Sequence, residues 1–254
     1  MTLKAAAAGL DLGGGKAVII GDPEVDRSEP LLEAYGRVVE TLGGAYITAE
    51  DVGTTVEDMA VVARTTAHVK GLPIEEGGSG DPSPMTARGV FASMRAVAAH
   101  LWGDPVLVGR TVAIQGVGKV GAALAEMLAG TGADLIVADV DSEKCADVAK
   151  RTGAVTVDPE KILEVPCDIL APCALGGALS GESIPRLECR TVVGSANNQL
   201  ATRDDAARPA AAGILYAPDF VVNAGGIVNI SWNSTQTRTR RHGRANGWTG
   251  SSIG

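Results

Sequence analysis

Aromatic residues make up only 3% of this 254-residue chain, and it holds just 3 histidines and 4 cysteines. The cysteines are Cys145, Cys167, Cys173 and Cys189; no pair is spaced C-x-x-C and no histidine sits near them at zinc-finger spacing. No metal site is therefore expected, and the thiols read as reduced, mostly buried groups of a cytoplasmic protein. Basic charge is not in excess either: 22 Lys and Arg stand against 30 Asp and Glu, for a net charge of −8. That balance argues against nucleic acid as a main partner. No apolar run approaches the ~20 residues that span a bilayer, so no membrane partner is expected. The opening MTLKAAAAGL is too short, too rich in Ala and too soon broken by Asp11 to read as a signal peptide. What the chain does have is small residues: 33 glycines and many Ala and Val, with 45% of residues hydrophobic and 20% charged. Such a composition suits tightly packed helix-on-sheet layers.

The first hundred residues alternate strand-like and helix-like patterns. KAVIIGDP reads as a strand ending in a turn at Pro23. LLEAYGRVVETL has helical spacing that places Leu31, Tyr35, Val38 and Leu42 on one face. AYITAED reads as a short strand, and TVEDMAVVARTTAHV as a second amphipathic helix with an acidic first turn. After a Gly- and Pro-rich loop, TARGVFASMRAVAAHL forms a long helix that bridges to the next lobe. His68 and His100 fall on helical patterns and read as surface or packing residues.

From residue 104 the alternation is cleaner. TVAIQ, DLIVADV, CDILAP, RTVVGSA and GILYAPD read as strands, with helices after the first two. Strands alternating with helices predict a mainly parallel sheet covered on both faces. The expected fold is α/β, with a substrate lobe at 1–103, a Rossmann-type dinucleotide-binding domain at 104–230 and a tail at 231–254. The tail has no apolar period and clusters Arg238, Arg240, Arg241 and Arg244. Disorder is the expectation for it, with a basic arm as the other reading.

QGVGKVG carries G-x-G-x-x-G at Gly116, Gly118 and Gly121. The motif alone is weak, but a strand precedes it, a helix follows and Asp139 ends the next strand. In that context each residue has a task. Gly116 permits the tight turn, Gly118 lets a pyrophosphate approach the backbone, and Gly121 lets the helix pack on the strand. The helix N-terminus offers free N–H groups to the phosphates. Asp139 accepts from both ribose hydroxyls and repels a 2′-phosphate, which favours NAD, although Lys119 inside the motif pulls the other way.

LDLGGGKAVI raises a separate question, because three glycines stand directly before Lys16. A phosphate loop would need G-x-x-x-x-G-K-[ST], but Leu10 replaces the first glycine and Ala17 the final hydroxyl. The remaining reading is a loop that brings backbone and lysine close to a small substrate.

Taken in order, MTLKAAAAGLDLGGGKAVI, YITAEDVGT, DPSPMTARGV, GVGKVG, APCALGG, GSANNQL and YAPDFVVNAGG resemble the glutamate/leucine/phenylalanine/valine dehydrogenase family. The leucine, valine and phenylalanine branch is the most similar, and the resemblance covers roughly residues 1–230. It implies an enzyme: reversible, NAD-dependent oxidative deamination of a branched-chain or aromatic L-amino acid to the 2-oxo acid and ammonia, in a cytoplasmic homo-oligomer. It implies two lobes with the active site in the cleft between them. Lys16 matches the family's catalytic lysine, which burial beside other cations readies for proton transfer. Asp51 matches the acid that exchanges protons with the amine. Lys4 matches the lysine that holds the substrate α-carboxylate, and Asn197 and Asn223 face the nicotinamide and substrate. Thr86 matches the threonine near the nicotinamide carboxamide. Gly116, Val117, Gly118, Lys119, Val120 and Gly121 hold the pyrophosphate and Asp139 the ribose. Ala171, Pro172, Cys173 and Ala174 line the adenosine side, with Cys173 also readable as a small buried residue without chemistry.

The chain departs from the family at both ends. It starts inside the family's M-x-x-K segment, so Met1 reads as an internal methionine and the substrate lobe as truncated. After Ile230 it goes off pattern. Back-translated one base earlier, WNSTQT can read VELDPN, which makes a frameshift one hypothesis for the tail; a genomic read in one intact, incompatible frame would remove it. The alternative to the enzyme is thus a non-catalytic, truncated or frameshifted product that keeps only NAD binding.

Overall fold

The computed structural model describes residues 1–51 and 53–231, so the expectations placed on 232–254 lie outside the described residues. Those residues fall into two units, one made of Met1–Gly13 with Ser83–Gly226 and the other built on Gly14–Pro82 and resumed at Ile227. In chain order the helices are α1 (Thr2–Ala7), α2 (Glu29–Thr41), α3 (Val56–Ala63), α4 (Ser83–Trp102), α5 (Lys119–Ala129), α6 (Ser142–Thr152), α7 (Arg208–Ala211) and α8 (Asp219–Val222). The strands are β1 (Thr111–Gln115), β2 (Asp134–Ala138), β3 (Val155–Thr156), β4 (Cys167–Pro172), β5 (Cys189–Val192) and β6 (Leu215–Tyr216). Residues 225–231 are also helical.

The larger unit is a six-stranded sheet in the order β3-β2-β1-β4-β5-β6, and every pairing is parallel. This is the doubly wound order of a Rossmann-type fold, in which the chain leaves β1 in one direction and later resumes on its other side at β4. Strand residues alternate between two cores, as a side-chain period of two requires. Val112, Ile114, Leu135, Val137, Ile169 and Ala171 face α4, α5 and α6. Ala113, Ala138, Leu170 and Val192 face the opposite side. That second face differs from the expected helical cover. Its apolar partners Ile162, Leu179, Ile184 and Ile214 come from loops and short 3₁₀ turns at Ile162–Glu164 and Ile184–Arg186. Each of these turns is only 3 residues long, too short to form a full helical layer.

At the N-terminal ends of the central strands β1 and β4, Arg110 stacks on Trp102 at 4.0 Å and pairs with Asp168 at 3.3 Å. Asp168 also accepts the Thr111 N–H at 3.0 Å. These contacts fasten the end of α4 to the start of β1.

The smaller unit corrects two sequence expectations. KAVIIGDP forms no strand: Val18, Ile19 and Ile20 are 78%, 42% and 99% exposed. A strand is made by its ladder partners, and the isolated Thr48–Val69 bridge is the only sheet contact among the described residues of this unit. AYITAED likewise contributes only Thr48 to that bridge. The second correction is the face of α2. Leu32, Gly36 and Val39 are buried against α3, whereas Val38 and Leu42 are exposed. Gly36 explains the rotation, because a Cβ there would lie 2.2 Å from Thr65 Oγ1 and 2.8 Å from the Val62 carbonyl oxygen. The helices approach over a residue with no side chain, which a hydrophobic pattern does not register. Helix α3 ends at Ala63, earlier than its pattern, and opens with a reciprocal cap between Thr55 and Asp58. Among the described residues, no helix is long and apolar enough to cross a membrane.

Gly36→Ala is expected to lower stability by about 1–3 kcal/mol through overpacking. Urea denaturation followed by circular dichroism would check it, and an unchanged midpoint would contradict the close approach.

Candidate active site

The glycine-rich turn joins β1 to α5. Gly116 has φ +91°, and a Cβ on it would lie 2.8 Å from Ala174 Cβ. A Cβ on Gly121 would sit 2.0 Å from the Gly116 carbonyl oxygen. Gly118 is different: nothing of the protein lies within 4 Å of where its Cβ would be. It is also the N-cap of α5, and no side chain caps that helix start. Val117 is buried, Lys119 exposed and Val120 half-buried. Asp139, just past β2, accepts the Val117 N–H at 2.7 Å and the Asp141 N–H at 2.9 Å. Its carboxylate is thereby held beside the glycine turn, at the end of the sheet where the strand order reverses.

The neighbouring loop after β4 is fixed by the Cys173 N–H, which donates to the Gln115 carbonyl at 2.7 Å. Ala171 and Pro172 are buried in the packed strand, Cys173 is partly buried and Ala174 is exposed. Burial pushes the Cys173 thiol up. Of this stretch, only the last two residues therefore offer side-chain surface.

A second cluster lies in the same unit. Lys4 projects from α1, which is anchored by the fully buried Ala5. Its Nζ donates to Asn197 Oδ1 at 3.0 Å. Asn223 Nδ2 donates to the same oxygen at 3.0 Å and to the Ser195 carbonyl at 3.0 Å. Asn223 is only 4% exposed, and its Oδ1 is buried with no hydrogen-bond partner. Gln199, fully buried, donates to the Gly194 and Ala196 carbonyls and so shapes the loop that carries Asn197. Thr86 sits in the first turn of α4, where the backbone of Gly225 passes so close that a Cβ there would lie 3.2 Å from Thr86 Cα. The sequence motifs pointed to Lys4, Asn197 and Asn223 but not to Ser195 or Gln199. Ser195 acts through its carbonyl, which no side-chain pattern announces.

In the smaller unit, Lys16 Nζ meets Asp51 Oδ2 at 2.5 Å. The side chains are 52% and 48% exposed. Lys16 is therefore not buried among cations as expected; its unit provides a carboxylate instead, and opposite charges close the distance. The glycines before it are crowded on one side, since a Cβ on Gly15 would lie 3.1 Å from the Tyr46 ring. Tyr46 Oη accepts the Ala17 N–H at 3.1 Å, which holds the loop. Thr54 Oγ1 in turn accepts the Asp51 N–H at 3.0 Å. Among the described residues, no group of three or more His, Cys, Asp or Glu is placed to hold a metal ion.

A doubly wound parallel sheet with a glycine turn at its switch point defines a Rossmann-type α/β fold. The model of the Glu/Leu/Phe/Val dehydrogenase dimerisation domain matches residues 1–68. That of glutamate/leucine/phenylalanine/valine dehydrogenase matches 77–146 and 137–246. The chain belongs to this dehydrogenase family, on its leucine/valine side. It is 51% identical over 231 residues to a leucine dehydrogenase of Thermoactinomyces intermedius, covering 91% of this chain and 63% of the relative. It is 53% identical over 234 residues to a valine dehydrogenase of Streptomyces coelicolor, covering 91% and 64%. Among solved structures, L-tryptophan dehydrogenase from Nostoc punctiforme matches with a TM-score of 0.75 and 40% identity, over 92% of this chain and 66% of that one. The chain thus spans about 63% of the length of the curated relatives it matches.

Two glycine substitutions separate packing from ligand space. Gly121→Ala is expected to cost about 1–3 kcal/mol of stability, because its Cβ meets backbone. Gly118→Ala is expected to leave stability within about 0.5 kcal/mol but to weaken NADH binding about tenfold or more, measured by fluorescence titration. Unchanged affinity in the second variant would remove the turn from the cofactor site.

Proposed function

We propose that this chain is an NAD-dependent amino acid dehydrogenase that reversibly deaminates a branched-chain or aromatic L-amino acid to its 2-oxo acid and ammonia. The observation that carries the reading is the 2.5 Å contact between the Lys16 ammonium and the Asp51 carboxylate. An amine and a carboxylate in direct contact are a ready pair for moving protons at nitrogen and water. Leucine, valine and tryptophan dehydrogenases are among the proteins this chain is similar to, which favours the catalytic reading over the non-catalytic alternative.

The residues present fit a dinucleotide. Gly118 leaves open space at the start of α5, and the unpartnered Asn223 Oδ1 calls for an N–H donor such as a carboxamide or a substrate amine. When bound, the nicotinamide supplies the acceptor for the hydride that leaves Cα. Within residues 116–121, Gly116 and Val117 give their N–H groups to the Ala138 carbonyl and to Asp139, so the pyrophosphate is held over Gly118 at the start of α5, and Cys173 and Ala174 border the adenosine. Asp139 receives the ribose hydroxyls, and its charge disfavours a 2′-phosphate, hence NAD over NADP. Thr86 lies at the carboxamide end.

Lys4 binds the substrate α-carboxylate, while Asn197 and Asn223 orient the substrate. Asp51 takes a proton from the amine and returns it to the nitrogen as ammonia leaves. Lys16 polarises the carbon that has lost its hydride and activates the water that adds there, so the oxygen of the 2-oxo acid comes from water. The match of residues 1–68 to a dimerisation domain supports assembly as a homo-oligomer. Four unbridged cysteines suit a reducing cytoplasm.

NADH formation at alkaline pH with L-leucine, L-valine and L-phenylalanine tests the reading, with NADP in parallel. Turnover is expected with NAD, reduced about a hundredfold or more by Lys16→Ala. Soluble protein that binds NADH yet turns over none of the three would leave the non-catalytic alternative.

A further inference from the structure

Asp219 has no role in the reading above, yet it bonds to the backbone of one residue that does, Asn223, and to that of the neighbour of another, Asn197. It opens α8, and its two carboxylate oxygens serve different segments. Oδ2 accepts the backbone N–H of Asn198 at 2.5 Å, and Oδ1 accepts that of Phe220 at 2.8 Å. Asn198 has φ +51° and is the one non-glycine residue with positive φ among the described residues. Asparagine tolerates this conformation better than most side chains, but something must hold it there. A charge-assisted bond from a carboxylate is well suited to do so. The turn is also crowded from behind, since a Cβ on Gly176 would lie 2.5 Å from the Asn197 carbonyl oxygen.

The other end of the connection runs along α8. The Asp219 carbonyl accepts the Asn223 N–H at 2.9 Å. Asp219 thus ties the Asn197–Asn198 turn with its side chain and the backbone of Asn223 with its main chain. The 3.0 Å bond from Asn223 Nδ2 to Asn197 Oδ1 closes the ring. Lys4 then attaches to that same oxygen.

We propose that Asp219 is a positioning residue that sets the two carboxamides of Asn197 and Asn223, and through Asn197 the Lys4 ammonium, in register for a substrate carrying both a carboxylate and an amine. This rests on the reading of those three residues as substrate-binding. The two N–H groups meet different carboxylate oxygens; an amide at this position has one acceptor oxygen and would turn an NH₂ group toward one of the two donors. Tyr216 borders the carboxylate: its phenolic oxygen accepts the Asp219 N–H at 3.4 Å. Burial and then the negative charge of Asp219 push that phenol up to about 12.

The test uses the full chain with Asp219→Ala and Asp219→Asn. The alanine variant is expected to raise the KM for the amino acid about tenfold or more, with NADH affinity within about twofold of the parent protein and kcat changed less than KM. The asparagine variant, which keeps one acceptor oxygen, should fall between. In the same proteins, the side-chain carboxamide NMR signals of Asn197 and Asn223 should shift in the alanine variant while those of β1 and α5 stay. An unchanged KM with unmoved carboxamide signals overturns the proposal, as does an equal loss of NADH affinity and fold. If the parent chain shows no turnover, the functional reading fails separately; the carboxamide signals then decide alone, displaced in favour and unmoved against.

Discussion

Backbone crossing backbone at Gly116 and Gly121 is the contact on which the larger unit depends. With 2.0 Å between the Gly116 oxygen and the place of a Cβ on Gly121, helix α5 can lie against the sheet only if that side chain is absent. The approach also brings Leu124, Ala125 and Leu128 onto Val112 and Ile114, and α4 packs over them. It leaves the start of α5 uncapped by any side chain. One steric requirement thus joins the burial that stabilises the unit to the open, uncapped helix start on which the proposed phosphate contact rests.

The two lysines singled out from sequence meet different partners. Lys4 donates to a neutral carboxamide oxygen, while Lys16 contacts a carboxylate. Lys16 and Asp51, in direct contact, form the pair on which the proposed proton transfer rests. The asparagine oxygen that accepts from both Lys4 and Asn223 is what keeps the first cluster in one arrangement.

Much of the larger unit was legible because its signals are local. Val112, Ile114 and Ala113 alternate as a doubly covered strand must, and the glycine spacing has a single geometric use. The smaller unit was less legible because its elements depend on neighbours. Val18 to Ile20 have every propensity of a strand, yet no ladder forms on them. The buried face of α2 is centred on Gly36, which carries no hydrophobic signal. In the candidate site, residue types pointed to Lys4, Asn197 and Asn223. Their joint acceptor did not emerge, since residues 4, 197 and 223 come together only through folding. Contributions made by main-chain atoms, such as the Ser195 carbonyl, leave no trace in a pattern of side chains.

Lys4 also bears on the entropy of recognition. A free lysine side chain forfeits up to about 2 kcal/mol of rotamer freedom when it is immobilised. Here its ammonium is already held by Asn197 on a helix fastened through Ala5. If Lys4 binds the substrate carboxylate as proposed, that ordering cost has been met during folding, and the binding free energy is diminished less by restraint of the protein.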